Sequence, residues 1–118
     1  DVAVPRERLP ELLEGIVEIG ERNRIRLPTI GHAGDGNMHP LLVFDGADPM
    51  EVERARRAFA DIVELALRLG GTIAAEHGVG TLKRPYLEQE IDPTHLAVQR
   101  RVKALFDPNS LLNPGKAI

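Results

Sequence analysis

Three features of the sequence predict an α+β fold with one antiparallel sheet covered on one face by helices. The first is element order: strand, helix, strand, strand, helix, strand over residues 1–76, then further helices. The second is a pair of apolar stripes at helical spacing, each needing a surface to bury against. The third is a hairpin signal, two strand-like runs joined around Asp35 and Gly36. The order is that of a ferredoxin-like βαββαβ unit, here with C-terminal helices added.

Residues 1–4 read as a short strand entered midway. Residues 1–118 are therefore expected to be a single domain, the C-terminal portion of a longer protein. In the helix that follows, Leu9, Leu12, Leu13, Ile16 and Val17 fall on one face, and Pro10 sits in the first turn, where its missing N–H costs little. This helix fades near Asn23. Strands are expected at 29–33 and 38–44. Asp48 is the N-cap and Pro49 the first residue of the next helix, with an apolar stripe of Val52, Ala55, Phe59, Ile62, Val63, Ala66 and Leu67, ended by Gly70 and Gly71. A last strand is expected at 72–76 and helices at 81–90 and 93–106. Residues 107–118 form a turn-rich tail ending in an extended stretch.

Composition narrows the function. The 118 residues are 42% hydrophobic but only 3% aromatic, so the core is aliphatic. A net charge of −3 without runs of like charge argues against nucleic acid as a partner. With no cysteine, thiolate ligands and a cysteine nucleophile are excluded. No apolar run reaches the roughly 20 residues that span a bilayer, and the expected location is cytoplasmic.

The hairpin carries the first candidate chemistry. With Asp35 and Gly36 as a two-residue loop, Gly34 pairs with Asn37, Ala33 with Met38 and His32 with His39. Directly opposed residues share a face with Cβ atoms roughly 4.5–5.5 Å apart, so both imidazoles can converge on one metal ion. The plainer alternative is two imidazoles stacked or hydrogen-bonded across a sheet. A phosphate-binding reading of the glycine-rich segment fails because a strand follows it, not a helix N-terminus.

Glu76 and His77 end the last expected strand, ahead of Gly78-Val79-Gly80. Glu76 can complete a two-His-one-carboxylate site. His77 carries an imidazole, a group whose ordinary pKa of about 6.5 suits proton transfer at neutral pH. The simpler reading is a surface Glu and His at a strand end. Topology raises an objection: in the ferredoxin-like unit the strands holding His39 and Glu76 run parallel, with His39 near the start of one and Glu76 near the end of the other. That arrangement puts them at opposite ends of the sheet.

Three segments, Gly31-His32-Ala33-Gly34-Asp35-Gly36-Asn37-Met38-His39-Pro40, Glu76-His77-Gly78-Val79-Gly80 and Leu112-Asn113-Pro114-Gly115-Lys116, together resemble the C-terminal domain of FAD-linked oxidases of the vanillyl-alcohol-oxidase type. Within that group the chain is similar to the family of glycolate oxidase, D-lactate dehydrogenase and D-2-hydroxyglutarate dehydrogenase. The resemblance runs along essentially the whole chain, and the ordered set of motifs is far more specific than any one of them.

The resemblance implies that His32, His39 and Glu76 bind a divalent metal (zinc, manganese or iron). It implies that His77 is the base that takes the hydroxyl proton of a small 2-hydroxy acid while hydride passes to FAD. Asn37 and Lys116 are implied to lie toward the cofactor. Implied partners are the FAD-binding domain of the same protein and an iron–sulfur electron-transfer subunit, with peripheral attachment to the inner membrane through such subunits; a homodimer is also compatible. The family's FAD-binding domain is absent from these residues, so this chain alone is expected neither to hold FAD tightly nor to turn over. Relatives acting on dicarboxylates carry Asn two residues beyond the second histidine; Leu41 stands there and points to a monocarboxylate such as glycolate or lactate. The competing reading is a stand-alone ferredoxin-like ligand-sensing or oligomerisation module with a regulatory metal.

Overall fold

The two amphipathic stripes of the sequence become the two long helices of the structure, a computed structural model that describes residues 1–118. The chain forms two units, Asp1–Glu76 and His77–Ile118.

In the first unit, β1 (Val2–Ala3) leads through a 3₁₀ turn at Arg6–Arg8 into α1 (Leu9–Asn23). Helix α1 ends at Arg24 in the left-handed region (φ 54°), with the Ile25 N–H donating to the Gly20 carbonyl at 2.9 Å. Strands β2 (Thr29–His32) and β3 (Asn37–Pro40) follow, then α2 (Pro49–Arg68). Asp48 caps α2 as expected, its carboxylate accepting the Met50 N–H at 2.8 Å. Gly70 closes it with φ 74°.

The α+β expectation holds. The sheet is three-stranded and antiparallel in the order β1-β3-β2. One face carries Val2 and Met38, which join Leu12, Ile16 and Ile19 of α1 and Ala58, Ile62, Leu65 and Ala66 of α2 in a single aliphatic core. Each large aliphatic side chain buried there contributes roughly 1.5–3 kcal/mol. The expected stripe of α1 is rotated: Leu12, Ile16 and Ile19 are buried, while Leu13 and Val17 are exposed. Helix–helix packing selects the 12/16/19 line, because α1 must face α2 and the sheet together.

Four local expectations are corrected. The hairpin loop spans residues 33–36, not two residues. Only Gly36 takes positive φ (76°) and Asp35 does not, so the type I′ turn, which needs both, does not form. Strand β3 stops at Pro40; beyond it the Leu41 N–H reaches the Pro28 carbonyl, but Pro28 has no N–H to return, and Val43 makes an isolated bridge to Arg26. The last strand, expected at 72–76, is reduced to a bridge between Thr72 and Ala3. There the Thr72 hydroxyl accepts the Ala74 N–H at 3.2 Å, a local turn that competes with the ladder. The helix expected at 81–90 is a 3₁₀ turn at Arg84–Tyr86 leading into α3 (Leu87–Glu90), because Pro85 has no N–H to donate to the carbonyl of Thr81.

In the second unit, α4 (Pro93–Phe106) is capped by Asp92, which accepts the N–H groups of Thr94 and His95 at 2.8 and 3.0 Å. The His95 N–H holds the Asp92 carboxyl below its ordinary range. Asp107 closes the helix. Its hydrogen bond with the Lys103 ammonium depresses its pKa first, helped by the Leu111 and Leu112 N–H groups. Lys83 is buried, and burial pushes its ammonium pKa down against the opposing charge of Glu90. The tail is turn-rich as expected; it is tied back by the Ala117 N–H on the Gly80 carbonyl (2.8 Å) and by Arg84 on the Gly115 carbonyl (3.1 Å). No helix is long and apolar enough to cross a membrane.

Candidate metal centre

The corrected hairpin register still puts both histidines on one face. His32 lies opposite Asn37 and His39 opposite Ile30, a shift of two residues from the expected pairing. A shift of one would flip every side chain to the other face, but a shift of two restores the face. The histidines are diagonal neighbours, their ring centroids 5.6 Å apart and their planes at 87°. By strand alternation they project from the face opposite Met38, away from the helix-covered core.

Glu76 reaches both rings. Its Oε1 lies 2.8 Å from Nε2 of His39 and 3.3 Å from Nε2 of His32. The topological objection is resolved by register. Asn37 opens β3 opposite Ala3, so His39 lies opposite Asp1. Thr72 pairs antiparallel with Ala3, so the chain from 72 onward advances along β1 toward Asp1. The Asp1 carboxylate accepts the Glu76 N–H at 3.3 and 3.4 Å, which fixes the backbone of Glu76 beside that end of the sheet.

The donor set of His32, His39 and Glu76 has all three ligand atoms within 4.8 Å of one another. Metal–ligand bonds of about 2.0–2.2 Å imply ligand–ligand separations of about 3.3 Å around a tetrahedral ion. Two imidazole nitrogens and a carboxylate at this spacing fit a divalent first-row cation. A second observation concerns Asn37, which is buried opposite His32 with its Oδ1 lacking any hydrogen-bond partner. A buried acceptor left unpaired costs roughly 1–3 kcal/mol, and such atoms mark places where a ligand or water is held.

His77 follows Glu76 in the chain, is exposed, and is the first residue of the second unit. Lys116 is an exposed tail residue of that unit, with its backbone N–H on the Asn113 carbonyl at 3.2 Å. Leu41 continues the β2–β3 register, its N–H donating to the Pro28 carbonyl at 2.9 Å. Two residues past His39, it sits on the same face by alternation. The sequence reading missed Asp1. Its only signal is the β1–β3 register, which sets Asp1 beside His39 once the sheet order is known.

Comparison with known proteins gives the class. The sequence model of the family described as FAD linked oxidases, C-terminal domain, matches residues 1–117, and the chain belongs to that family. It is 45% identical over 116 residues to glycolate oxidase subunit GlcD of Bacillus subtilis, covering 98% of this chain and 25% of that protein. The GlcD of Escherichia coli K12 is 42% identical over 118 residues, with 100% and 24% covered. A probable mitochondrial D-lactate dehydrogenase of Danio rerio is 40% identical over 118 residues, with the same coverage. The chain thus spans about a quarter of the length of the curated relatives it matches.

Proposed function

We propose that this chain is the substrate- and metal-binding part of a flavin-dependent 2-hydroxy-acid oxidoreductase of the glycolate or D-lactate type. In the overall reaction the hydroxy acid becomes a 2-oxo acid, its α-hydrogen leaving as hydride to FAD and its hydroxyl proton to a base. The observation that carries the reading is Glu76 Oε1 set between the Nε2 atoms of His32 and His39, in a chain whose relatives are named glycolate oxidase subunits and D-lactate dehydrogenases.

His32, His39 and Glu76 are the ligands in this proposal. When bound, a divalent ion (zinc, manganese or iron) supplies Lewis acidity and a template for the carboxylate and hydroxyl oxygens of the substrate. His77, next in the chain to Glu76, takes the hydroxyl proton. Asn37 offers its unpaired Oδ1 to a bound water or to the substrate hydroxyl. Lys116 is assigned to the flavin side on the family resemblance alone. Leu41, on the face of His39 and half exposed, leaves no polar group for a second carboxylate and favours a monocarboxylate.

The proposal extends to the fold and the partners. The order Thr72, β1, β3, β2 supports a ferredoxin-like βαββαβ unit with its last strand trimmed to a bridge. The FAD-binding domain of the same protein holds the flavin. The word subunit in the relatives' names supports a multi-chain assembly, for which an iron–sulfur electron-transfer subunit and a cytoplasmic or membrane-peripheral location are proposed. The test is elemental analysis and turnover of the purified protein with glycolate and D-lactate. Stoichiometric metal lost in His39→Ala, with 2-oxo acid formed only by the loaded protein, is the expected result. Full turnover without bound metal overturns the ligand assignment.

A further inference from the structure

We propose that Asp1 is the positioning residue of this centre, a buried carboxylate that aims His39 and Glu76 together at the cation; the inference rests on the proposed ligand set.

Three observations carry it. The Asp1 side chain is only 1% exposed. A carboxylate at such depth is costly unless it is paired and hydrogen-bonded, so its position marks a fixed arrangement rather than a solvated surface charge. Second, its Oδ1 lies 3.6 Å from Nδ1 of His39, while Nε2 of the same ring is 2.8 Å from Glu76 Oε1. At 3.6 Å the Asp1 contact is an ion-pair contact rather than a hydrogen bond, but it decides which nitrogen faces which group. A carboxylate facing Nδ1 favours the proton on that nitrogen and leaves the Nε2 lone pair for a ligand bond. Third, the same carboxylate accepts the backbone N–H of Glu76. One anchor therefore constrains a side chain on β3 and the main chain of a residue reached only after α2.

His32 makes the contrast. Its side chain is 59% exposed, and its one ionic contact is through Nε2 to Glu76. No carboxylate faces its Nδ1. The two histidines are chemically alike but differently prepared, one held in a set orientation and one free to swing onto the ion. Groups of this outer kind typically tune metal affinity by about 10–100-fold.

The test measures zinc affinity by competition with a chromophoric chelator, using the natural protein that contains this sequence. Asp1→Ala is expected to weaken zinc binding about 10–100-fold. Asp1→Asn, which keeps an acceptor oxygen for both N–H groups, recovers part of that loss. Wild-type protein labelled with [¹⁵N]histidine supplies a readout that needs no variant: with zinc bound, His39 is expected to be ligated through Nε2 with its proton on Nδ1. Ligation of His39 through Nδ1, or an Asp1→Ala protein that binds zinc within about twofold of wild type, overturns the role of Asp1 and leaves the ligand set standing. Zinc binding unchanged in His39→Ala overturns the ligand set itself, and the role of Asp1 with it.

Discussion

Glu76 Oε1 lies 2.8 Å from Nε2 of His39, although all of α2 intervenes between the two residues in the chain. The contact exists because Asn37 and Thr72 both pair with Ala3, one on each side of β1. A threonine turn then releases the chain after that one bridge to β1. The segments on either side of β1 therefore start level and run the same way, which brings Glu76 alongside His39.

Unequal consequences are expected from removing the two histidines. His39 is 12% exposed and faces two carboxylates, whereas His32 is 59% exposed and faces one. Chelator competition should show His39→Ala losing zinc by more than the about 10–100-fold typical of outer-sphere groups. His32→Ala should retain measurable binding through the remaining pair. Equal loss in both variants would remove the distinction.

Gly36 is the joint of the hairpin. Its φ is 76°, a Cβ there would run into the Val4 carbonyl oxygen, and its own carbonyl accepts the Val4 N–H at 3.0 Å. The left-handed region costs an ordinary residue roughly 1–2 kcal/mol before any clash. Gly36→Ala is therefore expected to lower stability in urea by about 2 kcal/mol or more, and to weaken metal binding as the register loosens. A change below about 0.5 kcal/mol, the range of neutral surface substitutions, would show that the loop tolerates a side chain.

His77→Ala is expected to reduce kcat by about 10²–10⁴ with metal and flavin content intact. Turnover at the wild-type rate would free His77 of the proton-transfer role.

Substrate choice should respond to Leu41. On the sheet face of His39, Leu41→Asn adds an amide where a second carboxylate would need a partner. The ratio of kcat/KM for a 2-hydroxy dicarboxylate to that for glycolate is expected to rise by about tenfold, equivalent to about 1.4 kcal/mol. An unaltered ratio would place the specificity contacts elsewhere.

Acid should loosen the second unit through Asp92 and Asp107. Both have folded-state pKa values below the ordinary carboxylate range, so their ionised forms favour the folded state. Their stabilisation is present above the unfolded value of about 3.9 and is lost as pH falls through the depressed folded values. Amide exchange in α4 and in residues 111–112 should accelerate over that window. Asp92→Ala, which removes the cap, should flatten the response of α4. Acceleration that begins near pH 6 instead would implicate other groups.

Several features were legible in the chain alone because they depend on neighbours. Asp48 before Pro49 specifies the start of α2, glycine at 70 its end, and the alternation around Asp35 and Gly36 a reversal. The residue types also suggested the proposed ligand set: two histidines about one turn, and a carboxylate beside a glycine-rich bend. The exact register of the hairpin was not legible. It depends on which residue bears positive φ, and the close approach of Gly36 to Val4 across the sheet decides that. The meeting of Glu76 with the histidines was likewise hidden, because it follows from Asn37 and Thr72 pairing with the same residue of β1. The role of Asp1 was least visible of all: an acidic residue at a strand end is ordinary in sequence, and only pairing of β1 with β3 buries it against His39. Local chemistry chose the donors; long-range strand pairing, which a sequence encodes only through the packing of the whole sheet, decided that they converge.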